Sequence, residues 1–213
     1  MRGAIGLGVP RTLEDVCNPR DLALLVYDMQ VGIVKQLRNG AEVVAQVREL
    51  LDLARRCSIR VAYTRHMSLP SAWMGAFQYR TAMSWQHVDQ PDAVRSPFLR
   101  GSAAFEITPE LEPRSDEAVF DKLTMSAFEG TPLAVVLRDC GVRAIAIAGI
   151  ALEVGIEPTA RHAADLALIP IVVADACGAG NDDAARRSLA ALEFAGDTIV
   201  AQRATLRRLL AAE

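Results

Sequence analysis

Three stretches of this chain are apolar at nearly consecutive positions: Asp21 to Asp28 (DLALLVYD), Ala144 to Ala148 (AIAIA) and Pro170 to Asp175 (PIVVAD). A strand with one wet face alternates apolar and polar residues; a strand buried on both faces does not. Ile59 to Thr64 (IRVAYT), Ala118 to Lys122 (AVFDK) and Thr198 to Ala201 read as three more strands. Between strands one and two, Val43, Val47, Leu50, Leu51 and Ala54 recur at helical spacing, and Asn39-Gly40 divides that segment in two. Further helices are expected at Ser71 to Ala82, from Thr131-Pro132 to about Cys140, from about Glu153 onward, at Asp182 to Phe194 and at Thr205 to Ala212. The alternation predicts a three-layer α/β domain, a mostly parallel sheet between two layers of helices.

A length of 213 residues suits one such domain, spanning 1–213. The first 21 residues, rich in Gly and Pro, read as an N-terminal arm with one helical turn at Leu13 to Val16 capped by Thr12. Residues 67–115 carry Pro70, Pro91, Pro97, Pro109 and Pro113 and both tryptophans, Trp73 and Trp85. A long, partly irregular insertion of this kind reads as a lid or pocket wall. Net charge is −3 with both signs interspersed, so no basic stripe points to nucleic acid and no polybasic cluster to a membrane surface. No signal-peptide layout or bilayer-length apolar run is present. The four cysteines lie far apart without a CxxC, which suggests reduced thiols in a cytoplasmic protein.

In a parallel sheet, chemistry gathers outside the carboxyl ends of the strands. That edge receives Asp28, Arg65, His66, Lys122 and the turn Gly149 to Gly155. Asp28 and Lys122 can couple there, as a structural ion pair or as a catalytic one. His66 reads as an acid, base or ligand, or as a packed residue. With no HxxxH or Cys/His cluster a metal is not expected, and His162 reads as structural. The GAGND run at 178–182 matches no phosphate-binding fingerprint, so no nucleotide cofactor is expected. The turn after strand four has no Ser, Thr or Cys before Thr159.

Three motifs resemble the isochorismatase-like hydrolase superfamily: LLVYDMQ at 24–30, DKLTMSAFEGTPL at 121–133 and GIALEVGIEPTARHAADLALIPIVVADAC at 149–177. The resemblance runs from about Leu22 to Ile199. It implies a six-stranded, Rossmann-like parallel sheet, a homo-oligomer (dimer or tetramer) and a small-molecule substrate. Most such relatives resemble cysteine amidohydrolases with an Asp–Lys–Cys triad and a turn of the form G-[VI]-A-T-[DN]-x-C. On that pattern Asp28 takes the general acid/base place and Lys122 the Lys place. Gly149, Ile150 and Ala151 match, Leu152 and Glu153 replace the next two residues, and Gly155 falls where the Cys would be. The resemblance also implies a cis bond at Ile150–Ala151 and an oxyanion hole from the amides of Ala151 and Gly155.

A glycine cannot attack a carbonyl. The isochorismatases proper resemble this chain in having Gly there. By that likeness Asp28 protonates an enol-ether carbon, water captures the cation, and Lys122 stabilises charge. His66 stands where they tend to have Gln, Arg80 is a candidate for their carboxylate-binding Arg, and Glu153 has no counterpart. Ala151, His66, Arg80 and Glu153 are thus the candidate substrate-binding residues. Three readings follow: a hydrolase working without a Cys nucleophile, a non-catalytic small-ligand binder derived from a cysteine amidohydrolase, or an enzyme whose thiol comes from Cys177.

Overall fold

The computed structural model describes residues 8–211. Its six strands are β1 (Leu22–Tyr27), β2 (Arg60–His66), β3 (Ala118–Lys122), β4 (Ala144–Ile150), β5 (Ile169–Gly178) and β6 (Ile199–Ala201). They form one sheet in the order β3-β2-β1-β4-β5-β6, every pairing parallel. The chain winds outward from β1 toward β3 and then, from β4, outward the other way. The two directions part between β1 and β4, and in open α/β sheets ligands bind outside the carboxyl ends of the strands at such a topological switch point.

The unbroken apolar runs have the cause that their pattern implies. All residues of β1 and β4 are buried. On one face Leu22, Leu24 and Val26 pack with Val43, Val47, Leu50 and Leu51 of α3 (Gly40–Arg56) and Leu206 and Leu210 of α8 (Arg203–Leu210). On the other, Ala23, Leu25 and Tyr27 pack with Leu133 and Leu137 of α5 (Leu133–Asp139). That second cluster also takes in Ala160 and Ala163 of α6 (Glu157–Asp165) and Leu192 of α7 (Asp182–Ala195). The remaining helices are α1 (Leu13–Val16), α2 (Val31–Val34) and α4 (Ala76–Gln86). Thr12 and Asp15 close α1 with a reciprocal capping box. No helix among the described residues is long and apolar enough to cross a membrane.

Several boundaries differ from the sequence reading, and those that bear on the site lie at the functional edge or at a helix start. β2 runs on through Arg65 and His66 because they pair with Asp121 and Lys122 of β3. β5 continues to Gly178 past a register shift against β4 between Ile147 and Gly149. The capping position of α5 is Pro132; the Thr131 hydroxyl still accepts from Leu133 N–H at 3.3 Å. A π turn, Leu152–Ile156, intervenes between β4 and α6. Gly149 explains how β1 and β4 approach so closely: its φ is +134°, and a Cβ there would lie 2.1 Å from the Tyr27 carbonyl oxygen.

Candidate active site

Asp28 is the first residue beyond β1 and has a left-handed backbone, φ +48°. For a non-glycine residue this conformation is disfavoured and persists only when its surroundings hold it. They do: Asp28 N–H donates to the Thr64 carbonyl at 3.2 Å, and the Asp28 carbonyl accepts from Gln30 N–H at 2.8 Å. The kink turns the carboxylate over the strand ends. Oδ1 accepts the Thr64 hydroxyl at 2.7 Å, and Oδ2 accepts Lys122 Nζ at 2.7 Å. Asp28 is 4% exposed and Lys122 2%, so the ion pair predicted from two strand ends forms in a nearly dry setting. Lys122 Nζ also donates to the Thr124 carbonyl at 3.1 Å and lies 4.4 Å from the centre of the Tyr27 ring.

Tyr27, read in the sequence only as part of an apolar run, belongs to this cluster. Its hydroxyl donates to the Met125 carbonyl. Burial first, and then the adjacent Asp28 carboxylate, push the phenol well above its usual pKa; the Thr159 hydroxyl acts weakly the other way. Tyr27 is therefore a neutral hydrogen-bond donor at physiological pH. Thr159 holds the neighbouring backbone: its hydroxyl accepts from Ala127 N–H at 3.0 Å and donates to the Gly155 carbonyl at 2.6 Å.

The turn after β4 has the expected Ile150–Ala151 cis bond. Of the two amides expected to form an oxyanion hole, that of Gly155 is engaged within the turn. The Gly155 N–H, expected to face a ligand, donates to the Ala151 carbonyl at 3.0 Å, and that oxygen also accepts from Ile156 at 3.1 Å. The π turn directs these amides inward, to a carbonyl of the chain itself. Glu153 is also held by the protein: Oε1 accepts from Gly180 N–H at 2.8 Å and Asn181 N–H at 2.9 Å, at the start of α7. Its Oε2 is buried with no hydrogen-bond partner among the described residues. Beside it, an open polar groove of about 610 Å³ runs between Gln36–Asn39 and Ala179–Asp183.

His66 closes the opposite side. Its ring meets Trp85 and Phe98 edge-on, with centroids 6.2 and 6.1 Å away. Burial lowers its pKa; Asp28 opposes that and Lys122 adds to it. Gln30, wholly buried, donates to the carbonyls of His66 and Phe105 and accepts from His66 N–H, stitching β2 to the 67–115 region. Arg80 stands apart: it is exposed on α4, and its side chain makes no hydrogen bond or ion pair among the described residues. His162 Nδ1 lies 2.9 Å from the Ser126 hydroxyl. The Cys177 reading is overturned. The thiol donates to the Val173 carbonyl at 3.2 Å, and burial pushes its pKa up to about 12, so it supplies no thiolate.

The geometry has counterparts among known proteins. An isochorismatase domain model matches residues 22–203. The chain is similar to the ureidoacrylate amidohydrolase RutB of Serratia proteamaculans, 26% identical over 173 residues that cover 74% of this chain and 70% of the relative. It is 29% identical over 161 residues to the uncharacterized isochorismatase family protein YwoC of Bacillus subtilis, covering 76% and 79% of the two chains. The crystal structure of a cysteine hydrolase from Pseudomonas syringae pv. phaseolicola superposes with a TM-score of 0.76 at 26% identity, covering 92% of this chain and 94% of that one. The matched span takes in all six strands and both halves of the Asp28–Lys122 pair, and the chain belongs to the isochorismatase family.

Proposed function

We propose that the protein is an isochorismatase-type hydrolase that acts on a small anionic substrate without a Cys nucleophile. The observation that carries this reading is the buried Asp28–Lys122 contact at 2.7 Å, at the point where the two halves of the sheet diverge. Lys122 has three N–H donors, of which two go to Asp28 and Thr124. The third serves a substrate carboxylate or the charge that develops on it. Asp28 is the general acid/base, and Gly155 stands where cysteine hydrolases of this family carry the nucleophile. His66, Trp85 and Phe98 make an apolar wall, and Ala151 borders the opposite side.

With isochorismate as substrate, Asp28 takes up a proton from solvent as the substrate binds and transfers it to the terminal carbon of the enol ether. Water adds to the resulting oxocarbenium carbon, its proton returns to Asp28, and the hemiketal collapses to pyruvate and a dihydrodiol. The likeness to a ureidoacrylate amidohydrolase adds small ureido and amide acids to the panel to be assayed. The test is pyruvate release from isochorismate by the purified protein. Asp28→Asn is expected to lower turnover by roughly 10²- to 10⁴-fold, the range of a general acid–base group. Unchanged turnover in that variant would exclude the mechanism.

One observation favours a second reading, a non-catalytic binder of small ligands. Both Asp28 oxygens and the Gly155 amide already have protein partners. A ligand that raises the melting temperature across such a panel, with no turnover of any member, would select this reading. Turnover of one member that Lys122→Ala abolishes would select the hydrolase.

A further inference from the structure

Position 27 is the last residue of a strand that is otherwise wholly aliphatic. Its neighbours on the same face, Ala23 and Leu25, supply bulk to the core and nothing else. Tyr27 instead sends a hydroxyl under the turn after β4. A Cβ built on Gly155 would stand 1.9 Å from the Tyr27 hydroxyl oxygen, 2.4 Å from Cζ and 2.6 Å from Cε1. The ring cannot swing aside. It is 2% exposed, lies under the Lys122 ammonium, and is anchored through its hydroxyl to the Met125 carbonyl.

The backbone at Gly155 makes no such demand of its own. Gly155 is not among the glycines with positive φ, and it lies within a helical turn, where glycine is a poor choice on propensity alone. The glycine is there because of Tyr27. We infer that Tyr27 is the specificity-determining residue of this site: it takes the space beside Asp28 and so bars any side chain, nucleophilic or not, from position 155. The phenol does not replace the excluded nucleophile, because burial and the Asp28 carboxylate keep it protonated. The substrate class follows, and in this it rests on the function proposed above. The site takes small acids whose bond yields to proton transfer and direct attack by water, and it rejects those that need an acyl-enzyme at position 155.

The test uses the full chain with four variants: Gly155→Ala, Gly155→Cys, Tyr27→Val and the double variant Tyr27→Val/Gly155→Cys. Thermal unfolding is followed by circular dichroism, and thiol reactivity by iodoacetamide labelling with peptide mapping. Gly155→Ala and Gly155→Cys are expected to lower the melting temperature by about 4–10 °C, as overpacking does in a chain of this size. In the Tyr27→Val background the cysteine substitution is expected to cost little, and its thiol to react at least about tenfold faster than that of half-buried Cys177. If Gly155→Cys does not fold, Gly155→Ala alone and with Tyr27→Val measures the same coupling. A wild-type melting temperature for Gly155→Ala, or losses that merely add in the double variants, would overturn the assignment. No arm of the test uses a substrate. Failure of isochorismate turnover therefore leaves it standing, and failure of the coupling leaves the Asp28 chemistry standing.

Discussion

At the residue scale, Lys122 is held on three sides: the Asp28 carboxylate, the Thr124 carbonyl and the face of Tyr27. A charge so enclosed is costly to leave without its partner. Lys122→Met keeps the side-chain bulk but removes the charge, stranding the Asp28 carboxylate in a buried place. Urea unfolding is expected to show a loss of about 3–5 kcal/mol, and a further change of Asp28 to Asn should recover part of it. Full stability in the single variant would mean that water reaches the pair. Asp28 and Lys122 were legible because each is a charge closing an apolar run, and parallel strands bring their carboxyl ends to one edge. Tyr27 was not, since one tyrosine in such a run reads as bulk. Only the position of Gly155 above it gives the hydroxyl a meaning.

At the scale of elements, α3 and α4 are opposites. Eight residues of α3 are buried, at the spacing that made its core face visible in the sequence. No residue of α4 is buried; Phe77 within it is 78% exposed, and Trp73 just before it 79%. A helix of 11 residues that buries so little is marginal by itself. Amide hydrogen exchange is accordingly expected to be fast across 76–86 and slow across 43–54, and acrylamide should quench most of the tryptophan fluorescence. Equal protection of the two helices would contradict this. A ligand seated against His66 should slow exchange in α4, because Trp85 reaches the His66 ring. The helical content of 71–82 was readable from composition; the break at Met74-Gly75 and the extension to Gln86 were not, for no core contact imprints a period on this segment.

For the whole molecule, the buried edge makes stability depend on pH. The pKa of His66 lies below its ordinary 6.5 in the folded chain, first because of burial. Between the folded and unfolded values the unfolded chain binds the proton more readily, so stability rises with pH there. The contribution is fully present above about pH 6.5 and is lost as pH falls through the folded value. The urea midpoint is therefore expected to drop on going from pH 7.5 to 5.5, and to drop less in His66→Gln. Parallel pH profiles for the two proteins would remove His66 as the cause. The carboxylates held low by hydrogen bonds, Asp15, Glu110 and Glu117, act at lower pH and apply equally to both proteins.

The sequence by itself determined the order of strands and helices, the burial of both sheet faces and the edge on which charged residues meet. Each of these follows from local periodicity: an apolar run without alternation has to be covered on both sides, and parallel strands all end on the same side. The tertiary structure alone decided what that edge contains. Only the β1–β4 pairing sets the Tyr27 ring beneath Gly155 and Lys122. Only the π turn directs the Gly155 amide to Ala151, and only the meeting of two loops gives Glu153 the amides of Gly180 and Asn181. These contacts join residues far apart in the chain, where no local pattern reaches, and packing alone fixes the distances between them.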